Sequence, residues 1–202
     1  MFPRLSLHSV KGQLGQRLLM KYRYPTYEEW LACLSQAERD RVLKLTEQFR
    51  VNGCAAPELW VRSEVSEDFC QFATYLLLTR IWRCEIDHSW SETPETWIKE
   101  FSRTVGQTRL PVFDDAAAAL QRLQEAQVSA ADLGAVARLV AYSTAFGVLN
   151  LLDEGSDRNA VGETPGWSLR ETDAEGNLTG RDIGGLHESL LSIHEESVKA
   201  GS

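Results

Sequence analysis

Residues 133–152 read LGAVARLVAYSTAFGVLNLL, an almost unbroken apolar stretch. Ser129 followed by Asp132 precedes it, and this pair is typical of a helix N-cap. Arg138 and Asn150 interrupt the apolar run, and one arginine at the centre of a bilayer costs roughly 2.5–3.5 kcal/mol on insertion scales. We therefore predict a long helix that is buried in the core of a helical domain, rather than a membrane span.

A second apolar segment follows Ser66, where Glu67 and Asp68 favour a helix N-terminus because acidic side chains complement the helix dipole. Its apolar side chains recur at helical spacing. They are Phe69, Phe72, Ala73, Leu76, Leu77, Ile81 and Cys84. We expect this helix and the one over residues 133–152 to form the central pair of a bundle-like or orthogonal packing.

Local start signals predict the surrounding helices. Two capping boxes, each a Ser or Thr followed three residues later by Glu, open helices within residues 27–50. Thr93 and Pro94 place an N-cap before a proline at the first helical position. An Ala-rich helix follows Pro111. The predicted fold is therefore mainly α, with about seven helices around the two long apolar ones.

The pattern changes after residue 166. Residues 167–172 alternate apolar and polar side chains, residues 173–177 (DAEGN) are typical of a tight turn, and residues 178–183 return as a second strand. A two-stranded ribbon is marginally stable alone, so this C-terminal β-hairpin is expected to pack on the helices.

We predict a single domain over residues 1–202, since this length suffices for one well-buried core. Its parts are a basic N-terminal segment (1–24), a helical body (25–153), a loop (154–166), the β-hairpin (167–183) and a short C-terminal helix (186–197).

The net charge is −8, but it is unevenly distributed. Residues 1–24 contain five basic and no acidic side chains, which leaves −13 on the remainder. Nucleic acids and anionic membranes attract positive charge, so the acidic body argues against both and favours a basic protein partner. The basic segment itself is compatible with a transit peptide or, as we prefer, with a first helix that lies against the acidic body.

The four cysteines are 21, 16 and 14 residues apart and form no Cys-x-x-Cys pair. No apolar secretory signal follows the first basic residues. Thiols that are mostly buried, in a protein of the cytoplasm, are therefore expected. No motif for a nucleotide or another cofactor is present, and the expected cofactor content is none.

Two pairs of residues could carry chemistry. Cys84 and His88 lie one helical turn apart and could start a metal site, although no further ligand is near in the sequence; a buried thiol beside a histidine at a helix end is the simpler interpretation. His187 and Glu188 follow Gly184-Gly185, where a histidine could act as a general base. Because adjacent helical side chains diverge, a carboxylate that orients His187 would have to come from another part of the chain.

Two functions therefore remain open. The first is a non-catalytic acidic domain that binds a basic protein, as a cytoplasmic immunity or antitoxin protein does; oppositely charged surfaces accelerate such association. The second is a small hydrolase or transferase with His187, Glu188 or His88 in acid–base roles. For the first, the expected partner-binding residues lie on the hairpin and just after it: Trp167, Arg170, Arg181, Asp182, His187 and Glu188.

Overall fold

The computed structural model describes residues 26–86, 93–105, 111–157, 159 and 161–200. Within them, eight α-helices precede and follow one antiparallel hairpin. The helices are α1 (Tyr27–Cys33), α2 (Gln36–Val51), α3 (Glu58–Glu67), α4 (Gln71–Ile81), α5 (Pro94–Val105), α6 (Pro111–Glu125), α7 (Ala130–Glu154) and α8 (Leu186–Ala200), and the strands are β1 (Leu169–Thr172) and β2 (Leu178–Ile183). The predicted mainly helical fold with a C-terminal hairpin is confirmed.

The predicted helix starts are confirmed where the capping chemistry is local. The Thr26 hydroxyl accepts the Glu29 N–H and the Glu29 carboxylate accepts the Thr26 N–H, so the capping box is complete. Ser35 and Glu38 form the same arrangement before α2. Each box satisfies N–H groups that the first helical turn leaves without an intrahelical partner. The basic segment 1–24 lies outside the described residues.

The core is built around α4 and its continuation, a π-helical segment at Trp82–Ile86. Leu78 and Ile86 are completely buried, and Phe49 of α2 packs edge-on against Tyr75 at a centroid distance of 5.3 Å. The buried face differs from the predicted one, because Phe69, Leu76 and Cys84 are exposed. α4 is central, as predicted, but rotated relative to the expected face.

Helix α3 was not predicted, and because of it the acidic residues Glu67 and Asp68 lie at the end of a helix instead of at the start of one. Asp68, expected at a helix N-terminus, instead ends α3 in the left-handed conformation at φ 56°. α4 begins only at Gln71. The helix start in this region was therefore predicted too early, with Ser66 as the N-cap instead of Cys70. Pro57 precedes the first residue of α3 and provides no side-chain cap, so the sequence contained no capping signal for the start of this helix.

The prediction that α7 is a buried core helix is wrong. Only 6% of its apolar 18-residue window is buried, although the helix is long and apolar enough, by length and composition alone, to cross a membrane. It contributes Leu149, and in part Tyr142 and Ala145, to the core. Its other side is open. Of the two apolar helices, one forms the centre of the core and the other lies at its edge.

The hairpin pairs Leu169 with Ile183 and Arg170 with Asp182, with an irregularity before the pairing of Thr172 with Leu178. The turn is held by Asp173, whose carboxylate accepts the Asn177 backbone N–H at 2.8 Å. Leu169 and Ile183 pack against the hydrophobic core, so the expected docking of the ribbon is confirmed for these two residues, whereas Leu178, also expected to pack on the helices, is exposed. Helix α8 then extends through Ala200, three residues beyond the predicted end.

Candidate functional site

The C-terminal end of α7 lies beside the first turn of α8. After α7, the chain returns to the end of this helix at Gly166 and Trp167. Gly155 ends α7 with φ 67°, and its carbonyl accepts the Trp167 N–H at 2.8 Å. A Cβ on Gly166 would lie 2.6 Å from that carbonyl, so glycine is required for this close approach. The Trp167 indole N–H donates to the Leu151 carbonyl at 2.9 Å, which fixes the ring and satisfies a free carbonyl in the last turn of α7.

Asp153 joins the two helices. Its Oδ2 accepts the His187 backbone N–H at 3.0 Å and lies 2.6 Å from His187 Nδ1. Among the described residues, the N-terminus of α8 provides the partner of this acidic helix end. Negative charge is unfavourable at the C-terminus of α7 but favourable at the N-terminus of α8, so one carboxylate serves as a cap for a distant helix.

Two opposing effects set the pKa of Asp153. Burial raises it, but the hydrogen bonds from the His187 N–H and imidazole outweigh burial, so the pKa of this carboxyl lies below its ordinary value. The charged form is therefore the stable one in the folded protein. The His187 ring also packs edge-on against Phe146 at a centroid distance of 5.5 Å. The side chain of His187 is consequently held on two sides.

A second polar network anchors the hairpin. Arg181 of β2 binds Glu171 through two contacts, Nε at 2.9 Å and Nη2 at 2.7 Å, and its Nη2 also lies 3.0 Å from Glu64 Oε1. Glu64 is 3% exposed, and its other oxygen accepts the Phe72 N–H at the start of α4. Asp68 lies farther away, 3.6 Å from Nη1. Burial lowers the pKa of Arg181, but the hydrogen bonds to Glu171 and Glu64 outweigh burial, so the pKa lies above its ordinary value.

A cavity of about 540 Å³ lies between the start of α4, the end of α7, the hairpin and the first turn of α8. Three carboxylates line it, those of Asp153, Asp182 and Glu188, together with Trp167. Cys70 also lines it, but burial raises the pKa of this thiol more than Arg181 lowers it, so the thiol stays protonated and is a poor nucleophile.

The structure brings together several residues that the sequence predicted for partner binding. Trp167, Asp182 and Glu188 line the same cavity, and Arg170 forms an exposed ion pair with Asp182 at 3.3 Å. Arg181 is different, because its guanidinium is occupied by carboxylates of the chain itself. A role of these residues in binding a partner stays a prediction.

The candidate metal pair is not assembled in the described part of the chain. Cys84 is exposed in the π-helical segment, so the expectation of a buried thiol at this position is wrong, and His88 lies outside the described residues. Two of the four cysteines, Cys54 and Cys70, are buried, and all four remain thiols. No group of three or more His, Cys, Asp or Glu side chains suited to a metal ion occurs among the described residues.

An exposed apolar face extends along α7 towards the cavity. Its members are the large apolar side chains of α7 that remain exposed, and they lie around the helix on the sides turned away from the core. They are Val136, Leu139, Val140, Phe146, Val148, Leu151 and Leu152, and we call them the α7 face. Leu139 and Val140 are 64% and 60% exposed. A Cβ on Gly147, within the same face, would have nothing within 4 Å. The α7 face therefore remains open over roughly 24 Å of helix.

Two residues of this region were missed from the sequence. Glu64 lies on the unpredicted helix α3, where a glutamate among Trp60, Val61 and Val65 was the available signal for a buried charge. Asp153 lies at the acidic end of α7, and its partner His187 is 34 residues away. Such a separation carries no local pattern.

No protein-family model, curated protein or solved structure matches this chain.

Proposed function

We propose that this chain is a non-catalytic protein-binding domain that uses the α7 face to bind a basic protein, as a cytoplasmic immunity or antitoxin protein would. The exposed α7 face carries this proposal. Monomeric soluble proteins rarely leave large contiguous apolar patches uncovered, and such patches are typical of interaction sites. Val140 and Leu139 contribute nothing to the core, so packing within the described chain does not account for them.

The charges around the α7 face favour a partner with basic residues. α7 begins near Asp132 and ends at Asp153 and Glu154, and its one basic residue is Arg138. A strip flanked by acidic groups attracts an apolar segment that carries Lys or Arg at both ends. The body of the chain, at −13 beyond residue 24, adds long-range attraction for such a partner.

The same charges disfavour two other occupants. Helices that lie in membrane interfaces are rich in Lys and Arg on their polar side, whereas α7 has a single Arg. A second copy of the chain, packed antiparallel on the α7 face, would place Asp132 of one copy near the acidic C-terminal end of α7 in the other. Like charges at both ends oppose that pairing.

The α7 face can be tested with one matched pair of variants. Val140→Glu places a charge on the α7 face, and Leu43→Glu places the same charge on α2, where Leu43 is also exposed. A photo-crosslinking amino acid at position 140 identifies the bound protein in extracts of the native cell. That protein is then purified, and its affinity is measured for the wild type and both variants at 50 and 300 mM salt.

The expected result is at least a tenfold loss of affinity for Val140→Glu, no change for Leu43→Glu, and weaker binding at high salt. Equal affinity for all three proteins, or affinity that does not change with salt, contradicts the proposal. A wild-type homodimer that Val140→Glu converts to a monomer, or wild-type protein that floats with lipid vesicles, assigns the α7 face to another occupant and also overturns it.

The contact between Asp153 and His187 favours a second candidate, a small hydrolase or transferase with His187 as general base. An imidazole whose Nδ1–H donates to a carboxylate presents Nε2 as a proton acceptor, which is how histidine is oriented in many acid–base sites. The 2.6 Å contact supplies the orienting carboxylate that the neighbouring Glu188 does not. No described residue hydrogen-bonds to Nε2 of this ring.

This second candidate is tested with a panel of acyl esters and phosphate esters. His187→Gln should abolish any turnover in a variant that is still folded at the assay temperature, although the loss of the imidazole contact with Asp153 lowers its unfolding midpoint. Glu47→Gln, an exposed substitution on α2, serves as the control. A wild type without turnover on the whole panel, or a folded His187→Gln variant that retains turnover, contradicts this candidate and leaves His187 as a structural contact of Asp153, which caps α8.

A further inference from the structure

The cavity at the C-terminal end of α7 combines an aromatic wall, an apolar wall and an acidic mouth. Trp167 forms the aromatic wall, in a position fixed by its indole hydrogen bond to α7. Leu152 and Leu169 contribute apolar surface. Asp182 and Glu188 supply exposed carboxylates. A ligand that fills this space therefore needs both an apolar stem and a polar head.

The charges of the lining select the sign of that head. Among the described residues that line the cavity, none is Lys, Arg or His. Asp182 is paired with Arg170 on the surface, whereas Glu188 forms no hydrogen bond or ion pair with any described residue. Asp153 Oδ1 is buried at the cavity wall and has no hydrogen-bond partner among the described residues. An anion is repelled by this set of carboxylates, and a cation is attracted.

Lys and Arg side chains match the aromatic wall, the apolar wall and the acidic mouth of the cavity. Their methylene stems pack along apolar surface while the charged head remains near polar groups. The face of a tryptophan attracts a nearby ammonium or guanidinium group. Carboxylates such as that of Glu188 form charge-assisted hydrogen bonds with the same groups. A neutral aliphatic chain would satisfy the apolar walls but leave the acidic mouth without a partner.

The cavity adjoins the C-terminal end of the α7 face, because Leu152 lines the cavity and belongs to that face. We infer that this cavity is the binding site for a Lys or Arg side chain of the protein that covers the α7 face. This inference rests on the proposed function and names the part of the partner that enters the domain. The partner then contributes an apolar strip for α7 and one cationic side chain beside its C-terminal end.

The inference is tested with small probes, so that no partner is needed. The probes are N-acetyl-arginine amide and N-acetyl-lysine amide, with N-acetyl-norleucine amide as the uncharged control of similar length. Binding to the full chain is followed through the indole N–H signal of Trp167 in nuclear magnetic resonance spectra, assigned from its loss in Trp167→Phe. Ligands of this size bind with dissociation constants on the order of 1 mM.

The expected result is a saturable shift with at least one cationic probe and none with the norleucine probe. Glu188→Gln should weaken cation binding at least fivefold, and Asp182→Asn provides a second variant if the first is poorly folded. The matched control is Glu47→Gln, which removes one exposed carboxylate from α2. Binding of all three probes alike, or undiminished binding by Glu188→Gln and Asp182→Asn, overturns the inference.

The two proposals fail in different ways. If a purified protein complex depends on Val140 but the cationic probes do not shift Trp167, the cavity inference is wrong and the role of the α7 face stands. If the cationic probes bind and their binding depends on Glu188, but Val140→Glu leaves the protein complex intact, the proposed role of the α7 face is wrong and the cavity remains a cation site.

Discussion

α4 and α7 are the two strongly apolar helices of this protein, and the fold uses them in opposite ways. Leu78 of α4 is completely buried, whereas Leu139 of α7 is 64% exposed. α4 lies between α3, α8 and the hairpin, while α7 packs on the π-helical segment, α5 and α8 with one side only. Apolar composition therefore shows that a helix needs a covering surface, but not whether the same chain supplies that surface.

The largest difference is expected from matched truncations of the two helices. Leu78→Ala in α4 should lower the free energy of unfolding by about 2–5 kcal/mol, because it leaves a cavity in a packed core. Leu139→Ala in α7 should change it by less than about 0.5 kcal/mol. Urea denaturation of the purified variants measures both values. A loss of more than 2 kcal/mol for Leu139→Ala would show that part of the chain covers the α7 face.

The buried charge beside α4 should give the next largest effect. Glu64→Gln removes the carboxylate that joins α3, α4 and Arg181, and we expect a loss of about 2–3 kcal/mol, less than for a fully isolated pair because Arg181 keeps Glu171. The control is Glu58→Gln on the same helix, whose exposed ion pair with Arg50 spans 4.0 Å. That variant should remain within about 0.5 kcal/mol of the wild type in the same denaturation experiment.

The carboxylate of Asp153, near the end of α7, should make the free energy of unfolding depend on pH. The pKa of Asp153 is lowered in the folded protein, so its stabilising effect is complete above the unfolded value of about 3.9 and is lost as the pH falls through the lower folded value. Asp153→Asn should cost about 1–2 kcal/mol at neutral pH, since hydrogen bonds to a charged group are lost.

The measurement for Asp153 is the unfolding midpoint between pH 2 and pH 7. The wild type and Asp153→Asn should converge at the acidic end, and an exposed control, Asp115→Asn on α6, should follow the wild type throughout. A constant difference between the unfolding midpoints of the wild type and Asp153→Asn across the whole range would mean that the substitution disturbs packing and that the charge of Asp153 does not stabilise the fold.

The smallest effect should have the opposite sign. Gly147→Ala on the open side of α7 introduces a Cβ with no atom within 4 Å, in a helix interior where alanine is favoured over glycine. We expect stabilisation of about 0.5–1 kcal/mol, measured by thermal and urea unfolding. Destabilisation would show that another surface already occupies this position in the isolated protein.

Sequence reasoning succeeded wherever the relevant interactions are local. The capping boxes at Thr26 and Ser35 and the turn at Asp173 each involve residues within four positions of one another, and each was predicted correctly. It failed at α3, whose first turn has no side-chain cap. It also placed the wrong face of α4 inside, since several of its faces are apolar and periodicity alone did not distinguish them.

The candidate site was predictable in part. The residues around Trp167, Asp182 and Glu188 were identified because aromatic, charged and glycine residues gather there after the helical pattern ends. The partner of His187 was not, because the contact with Asp153 joins the end of one helix to the start of another across 34 residues. The engagement of Arg181 by Glu64 spans 117 residues and was likewise not predictable.

The sequence by itself determined the helical class, the hairpin, the acidic body and the amount of apolar surface that must be covered, because these follow from residue type and spacing over a few positions. Only the tertiary structure decided which apolar helix is buried, since burial depends on how the remaining helices fill space around it. It left α7 with one open side and placed an acidic cavity at its end, and these two features carry the proposals made for this protein.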